Sequence, residues 1–176
     1  MEGRRVQPRD GLTTSQRIPT NVRSVVIRPV RASELDAVVR LCSDHAAFER
    51  SGFQRGGKAD LLSRVVFSAV PRLWCFVAEA DGAIVSYATC TRDFSTWRAA
   101  DYLHMDCLYV TPECRNAGIG EEMMRVVSRH ADALGCATVE WQTPAWNADA
   151  ARFYERLGAE ATEKLRFAWT PPGSRR

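Results

Sequence analysis

The densest chemistry in the chain lies in one run, Tyr109-Val110-Thr111-Pro112-Glu113-Cys114-Arg115-Asn116-Ala117-Gly118-Ile119-Gly120. An apolar strand leads into a turn holding an arginine and two glycines, and a helix opens directly after it. Glycine lets a ligand come close to the backbone. The first turn of a helix offers unpaired N–H groups and the positive end of its dipole. Together these make an anion site suited to a pyrophosphate, framed by Arg115, Asn116, Ala117, Gly118, Ile119, Gly120 and Glu121. No Lys-Ser/Thr pair follows, so the run is not a Walker P-loop, and the third glycine of a dinucleotide fingerprint is missing. Glu121 and Glu122 suit the dipole but would repel a phosphate if aimed inward. Two glycines alone also fit a plain left-handed turn. In the preceding strand, strict alternation predicts His104, Asp106 and Leu108 on one face and Met105 and Cys107 on the other.

The rest of the chain must position these groups. Ser24–Pro29 reads as a strand ended by proline. Ser33 followed three residues later by Asp36 reads as a capping box, and Leu35, Val38, Val39, Cys42 and Ala46 mark one face of a helix ending near Arg50–Gly52. Asp60–Ser68 reads as a second helix. Leu73–Ala80 and Ala83–Thr91 are strands joined by Asp81-Gly82, a strong two-residue hairpin signal. A loop over Asp93–Ala100 carries Trp97, and Tyr102–Val110 is the next strand. A helix over Glu121–Leu134 shows Met124, Val127, His130/Ala131 and Leu134 at helical spacing, and Gly135 stops it. Cys136–Thr143 is a strand, Ala148–Leu157 a helix closed by Gly158, and Lys164–Thr170 a last strand. The order β-α-α-β-β-β-α-β-α-β predicts an α/β domain. Its mixed, mostly antiparallel sheet is flanked by about four helices, since the hairpin excludes a purely parallel one.

Composition narrows the function. With 176 residues, 45% hydrophobic and 26% charged, the chain fits one globular domain over 24–170. Residues 1–23 read as a disordered basic extension and 171–176 as a loose tail. The net charge of +3 is uneven: the first 23 residues hold +3 and the last two +2, which leaves −2 on the body. A body of that sign disfavours nucleic acid and suits a small cation. The six cysteines form no CxxC and no metal pattern, so they read as reduced, buried thiols with no metal. No apolar run approaches the ~20 residues that span a bilayer, and no apolar stretch follows the N-terminal arginines. The expectation is a cytoplasmic protein without a membrane partner.

Four segments in order resemble the GNAT (GCN5-related) N-acetyltransferase superfamily: Ile27-Arg28-Pro29, the hairpin around Phe76-Val77-Ala78-Glu79 and Ile84-Val85, Arg115-x-x-Gly118-x-Gly120, and Asn147-x(5)-Phe153-Tyr154-x-x-x-Gly158-Ala159. Within it, Ala47-Phe48-Glu49, Phe94-Ser95-Thr96-Trp97 and Ala145-Trp146-Asn147 resemble the spermidine/spermine (diamine) N-acetyltransferases. The resemblance implies acetyl-CoA as co-substrate. Its pyrophosphate would lie on residues 115–120, and its pantetheine along the main chain of Leu108, Tyr109 and Val110, in the manner of an added strand. The Leu108 N–H would polarise the thioester carbonyl.

The resemblance also implies roles for individual side chains. Asn147 matches a pantetheine-contacting asparagine, and is an equally good helix N-cap. Tyr154 would protonate the departing thiolate. Asp106 stands where related enzymes often carry a carboxylate. It would serve as base, with water or His104 assisting, or would anchor a substrate ammonium. Phe48, Glu49, Trp97, Glu140, Trp141 and Glu163 would select the acceptor, since carboxylates and indole faces both attract cations. Glu140 and Glu163 read equally well as ion-paired or surface charges, and the tryptophans as core. The implied activity is direct acetyl transfer to a primary amine of a di- or polyamine or a basic amino acid-like compound, by a homodimer. An amino-bearing antibiotic and a non-catalytic CoA sensor are the alternatives.

Overall fold

The computed structural model describes residues 24–172. The N-terminal extension and the last four residues, both expected to be loose, lie outside the described residues. Five strands form one sheet in the order β1-β2-β3-β4-β5. They are β1 (Val25–Pro29), β2 (Trp74–Ala80), β3 (Ala83–Ser95), β4 (Ala100–Val110) and β5 (Val139–Trp141). The first four run antiparallel, and β5 joins β4 in parallel. The helices are α1 (Leu35–Phe48), α2 (Lys58–Val66), α3 (Ile119–Ala133) and α4 (Ala148–Arg156). The expected mixed, mostly antiparallel α/β architecture with four helices is what forms.

Local chemistry explains most of these elements. Asp81 and Gly82 both take positive φ, 50° and 80°, as a primed hairpin turn demands, and they set the β2–β3 register. Strand alternation then sends Phe76, Ala78, Ala88 and Cys90 to one face and Cys75, Val77 and Tyr87 to the other. α3 covers the first face with Ile119, Met123, Val127 and Ala131, a row spaced by four; α1 covers the second with Leu35, Val38 and Leu41.

Several boundaries differ from expectation. α3 starts at Ile119, because Gly118 in the left-handed region (φ 79°) can hand the chain straight into the helix; its buried row therefore passes through Met123 and not Met124. A 3-10 turn over Ala32–Glu34 precedes α1. There Glu34, and not Asp36, reaches back, accepting from the Arg31 N–H at 2.8 Å. Glu34 also takes two hydrogen bonds from Arg28, which bridges on to Glu79 of β2. The β3–β4 connection shrinks from the expected loop to a four-residue turn, because both strands extend into it.

The expected last strand, Lys164–Thr170, does not form. Residues 160–172 are exposed and without regular structure, with Leu165, Phe167 and Trp169 each about 80% exposed or more. β5 is only three residues long. Pro144 lies just beyond it, so within the chain the edge offers too short a ladder to recruit another strand.

Candidate active site

The site begins where two strands part. β4 and β5 are paired only at Leu103–Met105 with Val139–Trp141. Past Met105, β4 runs on to Val110 with no neighbour on that side among the described residues, and a wedge opens between the strands. An open cleft of about 2600 Å³ occupies it, reaching from the end of α1 to α4.

At the fork, β4 bulges. Thr89 pairs with Cys107 and Cys90 with Met105, so Asp106 faces no residue of β3. A bulge re-aims the side chains around it. Met105 and Leu108 therefore pack in the same α3-side core, whereas Cys107 and Tyr109 join the α1-side core. Strict alternation, which put Leu108 opposite Met105, fails at this one inserted residue. Asp106 itself is exposed at the cleft.

Beyond the bulge the β3–β4 ladder is regular. The Thr111 N–H pairs with Val85 O, and Tyr109 O accepts from the Ser86 hydroxyl, so both point at β3. Leu108 and Val110 lie between them in the alternation and point at the open edge. There Val110 O accepts from Arg115 Nε at 3.0 Å, and the Leu108 N–H faces the wedge.

The turn that follows holds two left-handed residues, Asn116 (φ 61°) and Gly118. Among the described residues no side chain caps α3, which leaves its first N–H groups without partners there, at the mouth of the cleft. Glu121 and Glu122 do not oppose an anion there, because both pair with Arg125. Gly120 serves packing as well: a Cβ on it would sit 3.2 Å from the Phe153 ring of α4. The Arg115 guanidinium lies over the Phe48 and Tyr109 rings, at 4.8 and 5.6 Å, and so braces the end of α1 against β4.

α4 forms the opposite wall. Asn147 caps it, accepting from the Ala150 N–H at 3.3 Å, which realises one of its two readings and leaves its amide NH₂ free of partners among the described residues. Tyr154 packs on Trp141 at 4.9 Å between ring centres. Burial, and then the nearby Glu49, push its phenol up to about 12, so it remains protonated. Glu49, at the end of α1, lines the same cleft, next to His45. Sequence reasoning assigned no role to His45, Cys107 or Tyr87. Their only signal was spacing: His45 lies four residues before Glu49, one helical turn away.

Other expected residues are placed differently. Glu140 is ion-paired with Arg98 at 2.5 Å on the outer rim. Trp97 is 96% exposed at the β3–β4 turn and does not line the cleft. Glu163 lies on the exposed segment after α4, at the cleft's edge. Phe48 tilts against Trp146 at 5.7 Å.

A profile of the Acetyltransferase (GNAT) family matches residues 39–159. The chain belongs to that family. This GNAT chain is 28% identical over 144 residues to a thialysine N-epsilon-acetyltransferase of Bos taurus, covering 77% of this chain and 84% of the relative. It is 23% identical over 145 residues to a D-amino-acid N-acetyltransferase of Saccharomyces cerevisiae, covering 81% and 89%. Among solved structures, an aminoglycoside N-acetyltransferase in complex with CoA superposes with a TM-score of 0.72 at 19% identity, over 84% of this chain and 95% of that one. The protein is thus a GNAT N-acetyltransferase. Among the described residues, no helix is long and apolar enough to cross a membrane, and no cluster of three or more metal-binding side chains occurs.

Proposed function

We propose that this GNAT enzyme transfers the acetyl group of acetyl-CoA directly to a primary amine of a small cationic acceptor, a di- or polyamine or a basic amino acid-like compound. The observation that carries this reading is the wedge. An unpaired strand edge, an uncapped helix start, a protonated phenol and two carboxylates, Glu49 and Asp106, all open onto one cleft.

The residues present fit the co-substrate. The first N–H groups of α3 and the turn at 116–118 would hold its pyrophosphate, and the free edge of Leu108–Val110 would run beside the pantetheine. Asn147 would offer its free amide NH₂ to the same arm. When bound, the co-substrate supplies an activated acetyl thioester. The Leu108 N–H would stabilise negative charge on the carbonyl oxygen. Asp106, carried outward by the bulge, would take a proton from the incoming ammonium, which has to lose one to attack. Tyr154 would return a proton to the sulfur. A covalent cysteine step is disfavoured: burial pushes the Cys107 thiol up to about 12, and Cys42 upward too, the opposite of an activated nucleophile.

Acceptor charge follows from the rim. Glu49 meets no lysine or arginine among the described residues: Arg50 lies over Trp146 at 4.9 Å, and Arg115 is held as described. A relative's name, spermidine/spermine N(1)-acetyltransferase-like protein 1 of Homo sapiens, adds weight on the polyamine side; it is 27% identical over 141 residues, 76% of this chain and 20% of that one. The enzyme would work as a homodimer in the cytoplasm. Leu165, Phe167 and Trp169 alternate in the sequence and are exposed, with nothing among the described residues covering them, an apolar row that a second copy would bury. Steady-state kinetics with diamines, basic amino acids, an aminoglycoside and matched monoamines would test the reading. The highest kcat/KM should fall on a dicationic or basic acceptor, and Glu49→Gln should raise KM more for diamines than for monoamines. Preference for the aminoglycoside, or equal effects of Glu49→Gln on both amine classes, would refute it.

A further inference from the structure

The end of α1 holds a run of polar contacts that acetyl transfer itself does not require. His45 is nearly buried, its side chain 14% exposed. Its Nδ1 is 3.0 Å from the Tyr87 hydroxyl, and its Nε2 is 3.3 Å from Glu49 Oε1. The ring stacks on Tyr109 at 5.2 Å with a 25° interplanar angle, and Tyr87 meets it edge-on. Two aromatic walls, one hydrogen bond and the contact with Glu49 fix its orientation.

Elementary chemistry assigns the protons. An ionised carboxylate only accepts, so the hydrogen facing Glu49 is on Nε2. A neutral imidazole then has a lone pair at Nδ1, and Tyr87 must donate to it. Tyr87 is suited to that, because its hydroxyl is fully buried and burial drives its pKa upward, so it keeps its proton. The ring stays neutral for a related reason. Burial lowers the His45 pKa, and Arg115 adds to this, outweighing the opposite pull of Glu49 and Asp106. For a neutral ring beside a carboxylate, the order is therefore Tyr87 O–H to Nδ1 and Nε2–H to Glu49.

The arrangement has a purpose at Glu49. That residue is the C-cap of α1, where the helix dipole repels a carboxylate and would favour its swinging into water. We propose that His45 is a positioning residue: oriented and fixed in tautomer by Tyr87, it clamps the Glu49 carboxylate at the cleft as the receptor for the second ammonium of a dicationic acceptor. The clamp rests on the acceptor reading given above and deepens it. It supplies a donor to one carboxylate oxygen without adding a positive charge. The other Glu49 oxygen is left open to the substrate. A lysine or arginine in place of His45 would hold the carboxylate equally well but would cancel the charge that draws the ligand.

The test combines a spectroscopic and a kinetic readout on the full chain. In ¹⁵N-histidine-labelled protein near pH 7.5, the His45 ring nitrogens should report the neutral Nε2–H tautomer, and Tyr87→Phe should weaken that preference. An Nδ1–H tautomer in the native protein would overturn the proposal. With 1,4-diaminobutane as acceptor, His45→Leu should raise KM about tenfold, the loss expected for one charge-assisted hydrogen bond, and Tyr87→Phe should raise it about threefold to fivefold. Both should leave kcat, and the KM for n-butylamine, within twofold. His45→Gln places an amide N–H near the Nε2 position and should recover most of the diamine KM. If Glu49→Gln leaves the diamine KM unchanged, the acceptor reading itself fails. If Glu49→Gln raises it while Tyr87→Phe and His45→Leu do not, only the clamp is overturned.

Discussion

The two faces of the sheet bury side chains to similar depth and to different ends. On the α3 face, Leu103, Met105, Met123 and Val127 are sealed at 2% exposure or less and make a dry core. On the α1 face, an equally sealed Tyr87 stands among His45, Cys42 and Cys107, with the carboxylates of Glu49 and Asp106 at the rim. One face uses burial for stability; the other uses it to fix which groups hold protons. The two best-placed histidines mark the contrast. His130, on α3, sits edge-on to Trp74 and Phe76, at 4.9 and 5.1 Å, with its Nε2 buried and without a partner among the described residues. His45 has a polar partner at each nitrogen, the Tyr87 hydroxyl at Nδ1 and the Glu49 carboxylate at Nε2. The same desolvation that is a cost at His130 becomes, at His45, a means of keeping a hydrogen-bonding ring uncharged.

The largest effect expected from breaking this contrast is catalytic. Tyr154→Phe removes one oxygen beside the α1-face groups, and kcat should fall by about 10²-fold or more, in the range for loss of a general acid. CoA affinity measured by calorimetry should stay within threefold, because the ring's packing on Trp141 survives. An unchanged kcat would take proton donation away from Tyr154. Next comes stability. Met123→Ala opens a cavity in the dry face and should cost about 3 kcal/mol by urea denaturation. Tyr87→Phe, equally buried, gives up a hydrogen bond and no volume to speak of, and should cost about 1 kcal/mol. Equal losses would mean that the two faces are not specialised in the way their residues suggest.

How much of this could be read from the sequence follows the same division. Features set by local rules were legible: the Asp81-Gly82 hairpin, the glycine turn opening α3, and the helices marked by apolar spacing. Features set by pairing between distant segments were not. The bulge at Asp106 exists because β3 and β4 differ by one residue in their register, and no local pattern in Tyr102–Val110 signals it. It nevertheless decides which side chains face the cleft. Lys164–Thr170 has the alternation of a strand, but a strand needs an edge to join, and β5 is too short to provide one within the chain. Glu140 and Trp97 were reasonable cation receptors by residue type. Arg98 claims the first, and the turn carries the second into solvent. His45 is not legible in the sequence, because an isolated histidine on an amphipathic helix carries no motif. Its role depends on Tyr87, forty-two residues away.

The smallest effect separates the faces by pH. Burial alone lowers the pKa of His130 in the folded state, whereas the unfolded chain takes up a proton near the ordinary value of about 6.5. Between those two values the unfolded state binds more protons, so stability declines as pH falls below about 6.5, and the decline ends only below the folded-state pKa. One such group contributes at most about 1.4 kcal/mol per pH unit. His130→Leu should flatten the decline measured by urea titrations between pH 7 and 5, whereas His45→Leu should flatten it less, because Glu49 and Asp106 partly offset the desolvation there. Glu34 cannot imitate this signal. Hydrogen bonds from Arg28 draw its carboxyl from 4.5 to about 2, so its contribution is intact above pH 4.5 and is lost only as the pH falls from there toward 2. An unchanged slope in His130→Leu would mean that its ring reaches water in the native state, and the dry face would then have a wet edge at α3.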